Sequence, residues 1–475
     1  MNEKLLYSRG FLLTGEGHKI SDLPSHWASL TFSDCTLYYD PRVEAIVTEG
    51  TSATVAIVGY ASAEIDGQRT ADLRSIAGRI AGRLPGNANS LLDDLNGRYV
   101  LFMVSDGRIK VQTDATGLRP VYFSRIQHPP VVASHADLAA RASGAVSSYA
   151  ADRGFLNAQN LRCPPGRETG YNGIVALTPN VELDLETRAT TRIFPRRPDL
   201  SDFEPLSVAE VVASAREHVA SLAEQRGQLL LSLSAGKDSR ASLAILRPWA
   251  EELLAFTYDV TYKEKSRANR FDVVAAAQVA SKAGVRHKVL PIPKMESEST
   301  FLDVLKRNRK WGHSASVARA YSEQLPDGLH FRSNGYAVLG DHYRSTGQSA
   351  AETLDASEMA AIASRRKAQA PFVVDIFREF VDGTQFPVVG AGVLDPLRLF
   401  YWEYRLGVWA TSIVAESDIA HETCFLLNSR RLIAGSMLDA ANRGSTSPQI
   451  DIVREAWPDL LEVDVNGTHV DSEGS

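Results

Sequence analysis

Between Leu229 and Leu246 the chain reads LLLSLSAGKDSRASLAIL. An apolar run gives way to a turn holding Ser234, Gly236, Lys237, Asp238, Ser239 and Arg240, and then to the first residues of a helix. A strand entering a small-residue turn and a helix gathers backbone N–H groups and the positive end of a helix dipole at one point, which is an anion site with phosphate as its leading ligand. The spacing excludes a Walker A loop, which needs Gly five residues before its last Gly and Ser or Thr directly after Lys. Those positions hold Leu231 and Asp238. The structural alternative is that Asp238 only caps the helix and Lys237 only faces solvent.

The elements around this turn must hold it at a sheet edge. SVAEVVASAREHVASLAEQ reads as an amphipathic helix, QLLLSLS as a strand, and LLAFTYDV, RFDVVAAAQVASKAGV and HKVLPI as strand, helix and strand. Helices alternating with apolar strands predict a parallel sheet covered on both faces. From about Met295 the pattern is mainly helical. The first ~190 residues differ, with short β-type runs (ATVAIVGYA, RYVLFMVSD, RIKVQTDA, PVYFSR) bounded by turn residues, and one helix in which Leu73, Ile76, Ile80 and Leu84 recur at helical spacing. A Pro- and Arg-rich passage, FPRRPDLSDFEPLS, separates the halves. The expected units are 1–195, a linker at 196–207, and 208–475.

The 475 residues, 44% hydrophobic and 23% charged, describe a globular chain of more than one unit. A net charge of −6 gives no electrostatic case for nucleic acid. Cys35, Cys163 and Cys424 are far apart and form no metal or disulfide pattern. Neither the N-terminus nor any other window is apolar enough for a signal peptide or a membrane span, so the expectation is a cytoplasmic protein without membrane or nucleic-acid partners.

The pattern Ser-x-Gly-x-Asp-Ser at 234–239 resembles the PP-loop of the N-type ATP pyrophosphatases, with Ala235 in place of the first family Gly. The resemblance implies that Ser234, Gly236, Lys237, Ser239 and the turn amides hold pyrophosphate, and that Asp238 binds the Mg²⁺ bridging the phosphate oxygens of ATP. With this loop in the second half, the chain looks like the asparagine synthetase B family. DDLNGRYVLFMVSDGRIKVQTDATGLRPVYFS is similar to that family's LNG strand and its DxxGxRP hairpin, through Leu95, Asn96, Gly97, Asp114, Gly117, Arg119, Pro120 and Tyr122. The fold so implied is an α+β Ntn-like αββα sandwich, followed by an α/β adenine nucleotide α-hydrolase-like PP-loop domain with a mainly helical C-terminal part. Glutaminases of the family begin with Cys, whose free α-amine is the base. Here Met1 is followed by Asn2 and the first cysteine is Cys35. The expectation is a vestigial sandwich without glutaminase activity and Cys35 as a core residue, as in the branch that includes β-lactam synthetase.

That branch implies further roles. In FRSNGYAVLGDHYRS, Gly335 and Tyr336 match its Gly-Tyr pair, Tyr336 being the base partner for the attacking amine. The expected second metal acid falls on Leu339, so Asp341 takes that role from a shifted position. Glu403, on the aromatic helix LRLFYWEYRLGVWATSIVAESD, would orient Tyr336; its alternative is an ion pair with Arg405 or Arg398. Arg443 or Arg430 would stand in for the C-terminal Lys of that branch, since no lysine follows Lys367. Leu233, Thr257 and Gly335 would frame the adenine through backbone atoms. The function implied is an ATP- and Mg²⁺-dependent ligase that adenylates a carboxylate, releases pyrophosphate and passes the acyl group to an amine. Its partner is a small-molecule or peptide substrate bearing both groups, with a homodimer left open. The rival readings are an ammonia-dependent amidotransferase and a non-catalytic nucleotide-binding scaffold.

Overall fold

The computed structural model describes residues 3–18, 20, 23–125, 129–148, 153–161, 163–197, 199–223, 226–260, 267–295, 299–309, 311, 314–340, 342–345, 353–365, 370–387 and 394–470. Among the described residues the chain is a mixed α/β structure with three sheets.

Two antiparallel sheets occupy the first 192 residues. One has six strands, ordered Ile174–Ala176, Tyr122–Ser124, Val131–Ala133, Phe11–Gly15, Cys35–Tyr39 and Ala28–Phe32. The other is built around the long pair Ala53–Ile65 and Asn96–Ser105. Strand alternation divides their side chains between two layers. Phe11 and Leu13 meet Val58, Val100 and Phe102 between the sheets, whereas Leu12 and Val55 face outward. The outward faces are covered by the helices Ala136–Ser143 and Leu73–Ala81, giving four layers. Leu73, Ile76 and Ile80 are the buried stripe of the second helix, which ends before Leu84. Cys35 lies in the inter-sheet core, and burial, with Asp34 beside it, pushes its thiol up to about 11.

In the second half, α1 (Val208–Ala223) precedes β1 (Gln228–Ser232), α2 (Lys237–Ile245), β2 (Leu254–Val260), α3 (Arg267–Ala283), β3 (Arg286–Ile292), β4 (Gly328–Phe331) and β5 (Glu422–Cys424). All five strands are parallel, in the order β3-β2-β1-β4-β5. The order reverses at β1, so the connections leave β1 and β4 on opposite faces and open a crevice at their carboxyl ends. The helices α4 (Arg430–Arg443) and α5 (Pro448–Ala456) complete the C-terminal part. No helix among the described residues is long and apolar enough to cross a membrane.

The halves share buried polar contacts. Arg98 forms a two-pronged pair with Asp418 at 2.6 Å and reaches Glu422 at 2.7 Å, while Arg119 reaches Glu422 at 2.8 Å. Asn428 donates to Gly97 O and Asp114 Oδ1, and its own N–H is accepted by Asn96 Oδ1. The passage after residue 195 is packed down as well, with Leu200 and Leu206 buried and Arg196 paired to Asp93.

Candidate functional site

The turn after β1 is held by its own hydroxyls. Ser234 N–H donates to Ser239 Oγ at 3.1 Å, the two hydroxyl oxygens are 3.1 Å apart, and Gly236 N–H donates to Ser234 Oγ at 3.2 Å. Ala235 N–H donates to Asp272 Oδ1 of α3 at 3.1 Å. Gly236 supplies the N-cap of α2 without a side chain, so no side chain caps the amides of the first helical turn. Those amides and the Ser234 and Ser239 hydroxyls are what the turn offers to an anion. Asp238 is in that turn but caps nothing, and its Oδ1 is buried without a hydrogen-bond partner. Burial pushes its carboxyl up, opposed by Lys237 and by the Gln449 side chain.

A cavity of about 220 Å³ opens beside the turn at the carboxyl ends of β1, β2 and β4. Ser234, Asp238 and Ser239 form one wall, and Arg332, Ser333 and Asn334, directly after β4, form the other. This is the crevice where the strand order reverses, the place where open parallel sheets bind ligands. Arg332 brings a guanidinium, tied to Ser417 Oγ at 2.8 Å. Ser333 Oγ is 2.9 Å from Ser242 Oγ of α2, which joins the two walls. Tyr258, 43% exposed, and Asp272 line the same cavity.

The structure brings together Ser234, Gly236, Asp238 and Ser239, with Leu233 and Thr257 on the β2 side. Leu233 N–H donates to Phe256 O at 2.8 Å and its carbonyl accepts Thr257 Oγ1 at 2.8 Å, while both residues line the cavity. Several expectations need correction. Gly335 does not line the cavity; a Cβ there would come within 2.9 Å of the Phe425 ring, and close packing explains the glycine. Lys237 turns away from the cavity to Ser447 Oγ at 3.1 Å. Arg240, completely buried, donates to the carbonyls of Ala235, Leu460 and Asp464 and so straps the C-terminal segment to the turn.

Tyr336 packs beneath the turn, its hydroxyl near Ser242 and Asp238 without a well-formed hydrogen bond. Burial pushes its phenol well above the ordinary value, which makes it a poor base. Glu403 does not orient it. The Glu403 carboxylate is paired with Arg192 at 2.6 Å and accepts Asn180 Nδ2 at 3.3 Å, because a buried charge takes the nearest guanidinium. Arg405, one of the partners expected for it, stacks on Trp409 instead. Arg443 is paired with Asp439 and Asp451, away from the turn cavity. Asp341 lies outside the described residues. Among the described residues no group of three or more His, Cys, Asp or Glu side chains could hold a metal. The donor set that fits Mg²⁺ is therefore small: the unpartnered Asp238 Oδ1, in a site where phosphate oxygens would supply the rest.

A second cavity, of about 840 Å³, reaches the same turn at Lys237. Its charged lining is Lys237, Arg443, Arg454, Asp451 and Glu455, with hydroxyls from the 445–447 loop. Since Lys237 and Asp238 are consecutive, the two cavities meet at the first turn of α2.

The sequence reading missed Asp272, Arg332, Tyr258 and Gln449. Arg332, three residues before the Gly335-Tyr336 pair at the end of a predicted strand, and Tyr258, next to Thr257, carried local signals. The others come from distant helices.

No family model matches the chain, and no curated protein matches it. Among solved structures, it is similar to a glutamine phosphoribosylpyrophosphate amidotransferase from B. subtilis complexed with ADP and GMP, at 10% identity and a TM-score of 0.23, over 71% of this chain and 72% of that one. It is also similar to a glutamine-dependent NAD⁺ synthetase from Acinetobacter baumannii in complex with ADP, at 16% identity and a TM-score of 0.20, over 46% of this chain and 44% of that one. A third is an allosteric regulatory enzyme of purine biosynthesis, at 12% identity and a TM-score of 0.24, over 69% and 71%. Likeness at this level carries no argument about the site, whose chemistry rests on its own geometry.

Proposed function

We propose that the chain is an ATP-dependent, AMP-forming carbon–nitrogen ligase of the PP-loop kind, its first 195 residues a sandwich without glutaminase activity. The observation that carries this reading is the turn from Ser234 to Ser239, which presents two hydroxyls and uncapped helix amides beside a carboxylate whose Oδ1 has no hydrogen-bond partner, at the crevice where the sheet order reverses. Pyrophosphate matches those donors, whereas a γ-phosphoryl donor would call for the Walker A spacing that is missing.

In the reaction, an oxygen of the substrate carboxylate forms a bond to the α-phosphorus of ATP while the bond from that phosphorus to the β-bridging oxygen breaks. The turn receives the leaving pyrophosphate, with Arg332 facing it across the cavity. An amine then attacks the acyl carbon, AMP departs with the carboxylate oxygen, and the amine loses a proton to solvent. Tyr336, held in its neutral form by burial, serves as a hydrogen-bond donor rather than the base. Mg²⁺ at Asp238 would screen the phosphate charge. The larger cavity behind Lys237 is assigned to the acyl substrate, its cations suited to a carboxylate and Asp451 and Glu455 to an amine.

ATP–pyrophosphate exchange across candidate carboxylates tests the reading, with Asp238→Ala as control. Carboxylate-dependent exchange that is lost in the variant supports it. Exchange that persists in Asp238→Ala, or ATP binding without exchange on any carboxylate, overturns it.

A further inference from the structure

We propose that Arg240 is a positioning residue for the anion-binding turn, locking the Ala235–Gly236 peptide so that its N–H rather than its carbonyl faces the phosphate. The inference rests on the placement of pyrophosphate at Ser234 to Ser239 proposed above, and gives a part in binding to a side chain that lines neither of the two cavities.

Arg240 is completely buried, and among the described residues its donors meet main-chain carbonyls rather than a carboxylate. Nη1 donates to Leu460 O at 3.1 Å and to Val463 O, and Nη2 donates to Ala235 O at 3.1 Å and to Asp464 O at 2.8 Å. Burying a guanidinium without a carboxylate costs more than burying an apolar chain of similar size. What the charge holds in place is the Ala235 carbonyl, which also accepts Asn466 N–H at 3.1 Å. Two donors thus draw this oxygen toward the C-terminal segment. In a trans peptide the N–H and C=O point opposite ways. Gly236 N–H accordingly faces Ser234 Oγ at 3.2 Å, on the side of the smaller cavity.

This peptide has the freest rotation in the turn. Gly236 sits at φ −81° and ψ 164°. Turning over the Ala235–Gly236 peptide would carry φ of residue 236 to positive values, which glycine tolerates and other residues resist. The preceding peptide is restrained, because Ala235 carries a Cβ and its N–H is held by Asp272 Oδ1 at 3.1 Å. A turned peptide would present a carbonyl oxygen to phosphate in place of an amide, and anion-binding turns work through their N–H groups. Arg240 excludes that state by keeping the oxygen on the far side.

The test is binding of inorganic pyrophosphate, with Mg²⁺ present, to the full-length protein by calorimetric titration. Arg240→Met is expected to bind about tenfold more weakly, as it would if one molecule in ten kept the amide inward. Gly236→Ala disfavours the turned state by itself, and its Cβ would lie 3.4 Å from Ser234 Oγ, an ordinary contact. In the Gly236→Ala background Arg240→Met is therefore expected to lower affinity by less than about threefold, whereas a merely structural loss would be the same in both backgrounds. Arg240→Lys, with one nitrogen in place of the fork, replaces the methionine variant should that fail to fold. Equal affinity of wild type and the Arg240 variant, or the same loss in both backgrounds, overturns the inference and leaves the ligase reading to the exchange assay. Absence of pyrophosphate binding by wild type overturns this inference together with the placement on which it rests.

Discussion

The hydroxyls of Ser234 and Ser239 lie 3.1 Å apart and share the bracing of the turn unequally: Ser239 accepts Ser234 N–H and approaches the carbonyls of Ser234 and Gly236 at 3.3 Å, whereas Ser234 Oγ accepts Gly236 N–H at 3.2 Å. Ser239→Ala therefore removes a brace and a ligand donor at once, whereas Ser234→Ala mainly removes a donor. Hydrogen bonds to charged groups are worth about 1.5–3 kcal/mol, or roughly 10- to 100-fold in affinity. Calorimetric titration with ATP should show losses in that range for both variants. Thermal denaturation should show the larger drop for Ser239→Ala; equal melting temperatures would contradict the assigned roles.

Arg98, Asp418 and Glu422 join the halves through fully buried charges. Arg98→Met leaves two carboxylates with one guanidinium fewer, and losses from breaking such pairs are about 3–5 kcal/mol. Burial alone would raise the Glu422 carboxyl, but Arg98, Arg119 and Arg9 hold it down at about 2. A carboxyl held below its unfolded value of 4.5 stabilises the fold above that pH. The contribution fades as pH falls from 4.5 toward 2. Urea titrations of wild type and Arg98→Met between pH 7 and pH 3 should converge on the acid side. A constant gap across that range would count against the network.

Acid sensitivity should begin earlier, through histidines buried neutral. His330 and His421 pack at 4.6 Å between ring centroids, with all four ring nitrogens lacking hydrogen-bond partners. Burial pushes His421 down to about 3, with Arg9 and Arg332 adding to it, and burial with His421 and Arg332 pushes His330 well below its ordinary value. The unfolded chain takes up these protons near pH 6.5 and the folded one does not, so stability declines as pH falls below 6.5, by about 2 kcal/mol per histidine at pH 5. His330→Phe should narrow the difference in urea midpoint between pH 7 and pH 5. An unchanged difference would mean that His330 does not titrate on unfolding.

Lys237 belongs to the larger cavity, bonded to Ser447. Lys237→Ala should raise the KM for the carboxylate substrate about tenfold, the scale of one charge-assisted contact. The ATP dissociation constant should move less than twofold. A variant in which ATP affinity falls and the substrate KM does not would return Lys237 to the phosphate site.

Much of the architecture was legible because periodicity is local. The β-type runs at Ala53–Ile65 and Asn96–Ser105, the stripe of Leu73, Ile76 and Ile80, and the run of helices and strands from Val208 to Ile292 are all patterns within one stretch of chain, readable without reference to distant residues. The aromatic helix could be seen as core, Trp402 being completely buried, but not which charge Glu403 would meet. Arg192 is more than two hundred residues away, and only packing decides which guanidinium reaches a buried carboxylate.

By itself the sequence determined the turn: the residue types from Ser234 to Ser239 and the strand and helix that flank it gather two hydroxyls, the first amides of a helix and a carboxylate, because their spacing within six residues is set by local backbone geometry. The tertiary structure decided everything that crosses the crevice. The order β3-β2-β1-β4-β5 sets the end of β4 against the turn that follows β1, which brings Arg332, Ser333 and Asn334 to it. Helix packing brings Asp272 and Gln449 to the turn as well and directs Lys237 to Ser447 in the larger cavity. Such contacts depend on which strands become neighbours and how helices settle over them, and that is settled by the burial of the whole chain rather than by any stretch of it.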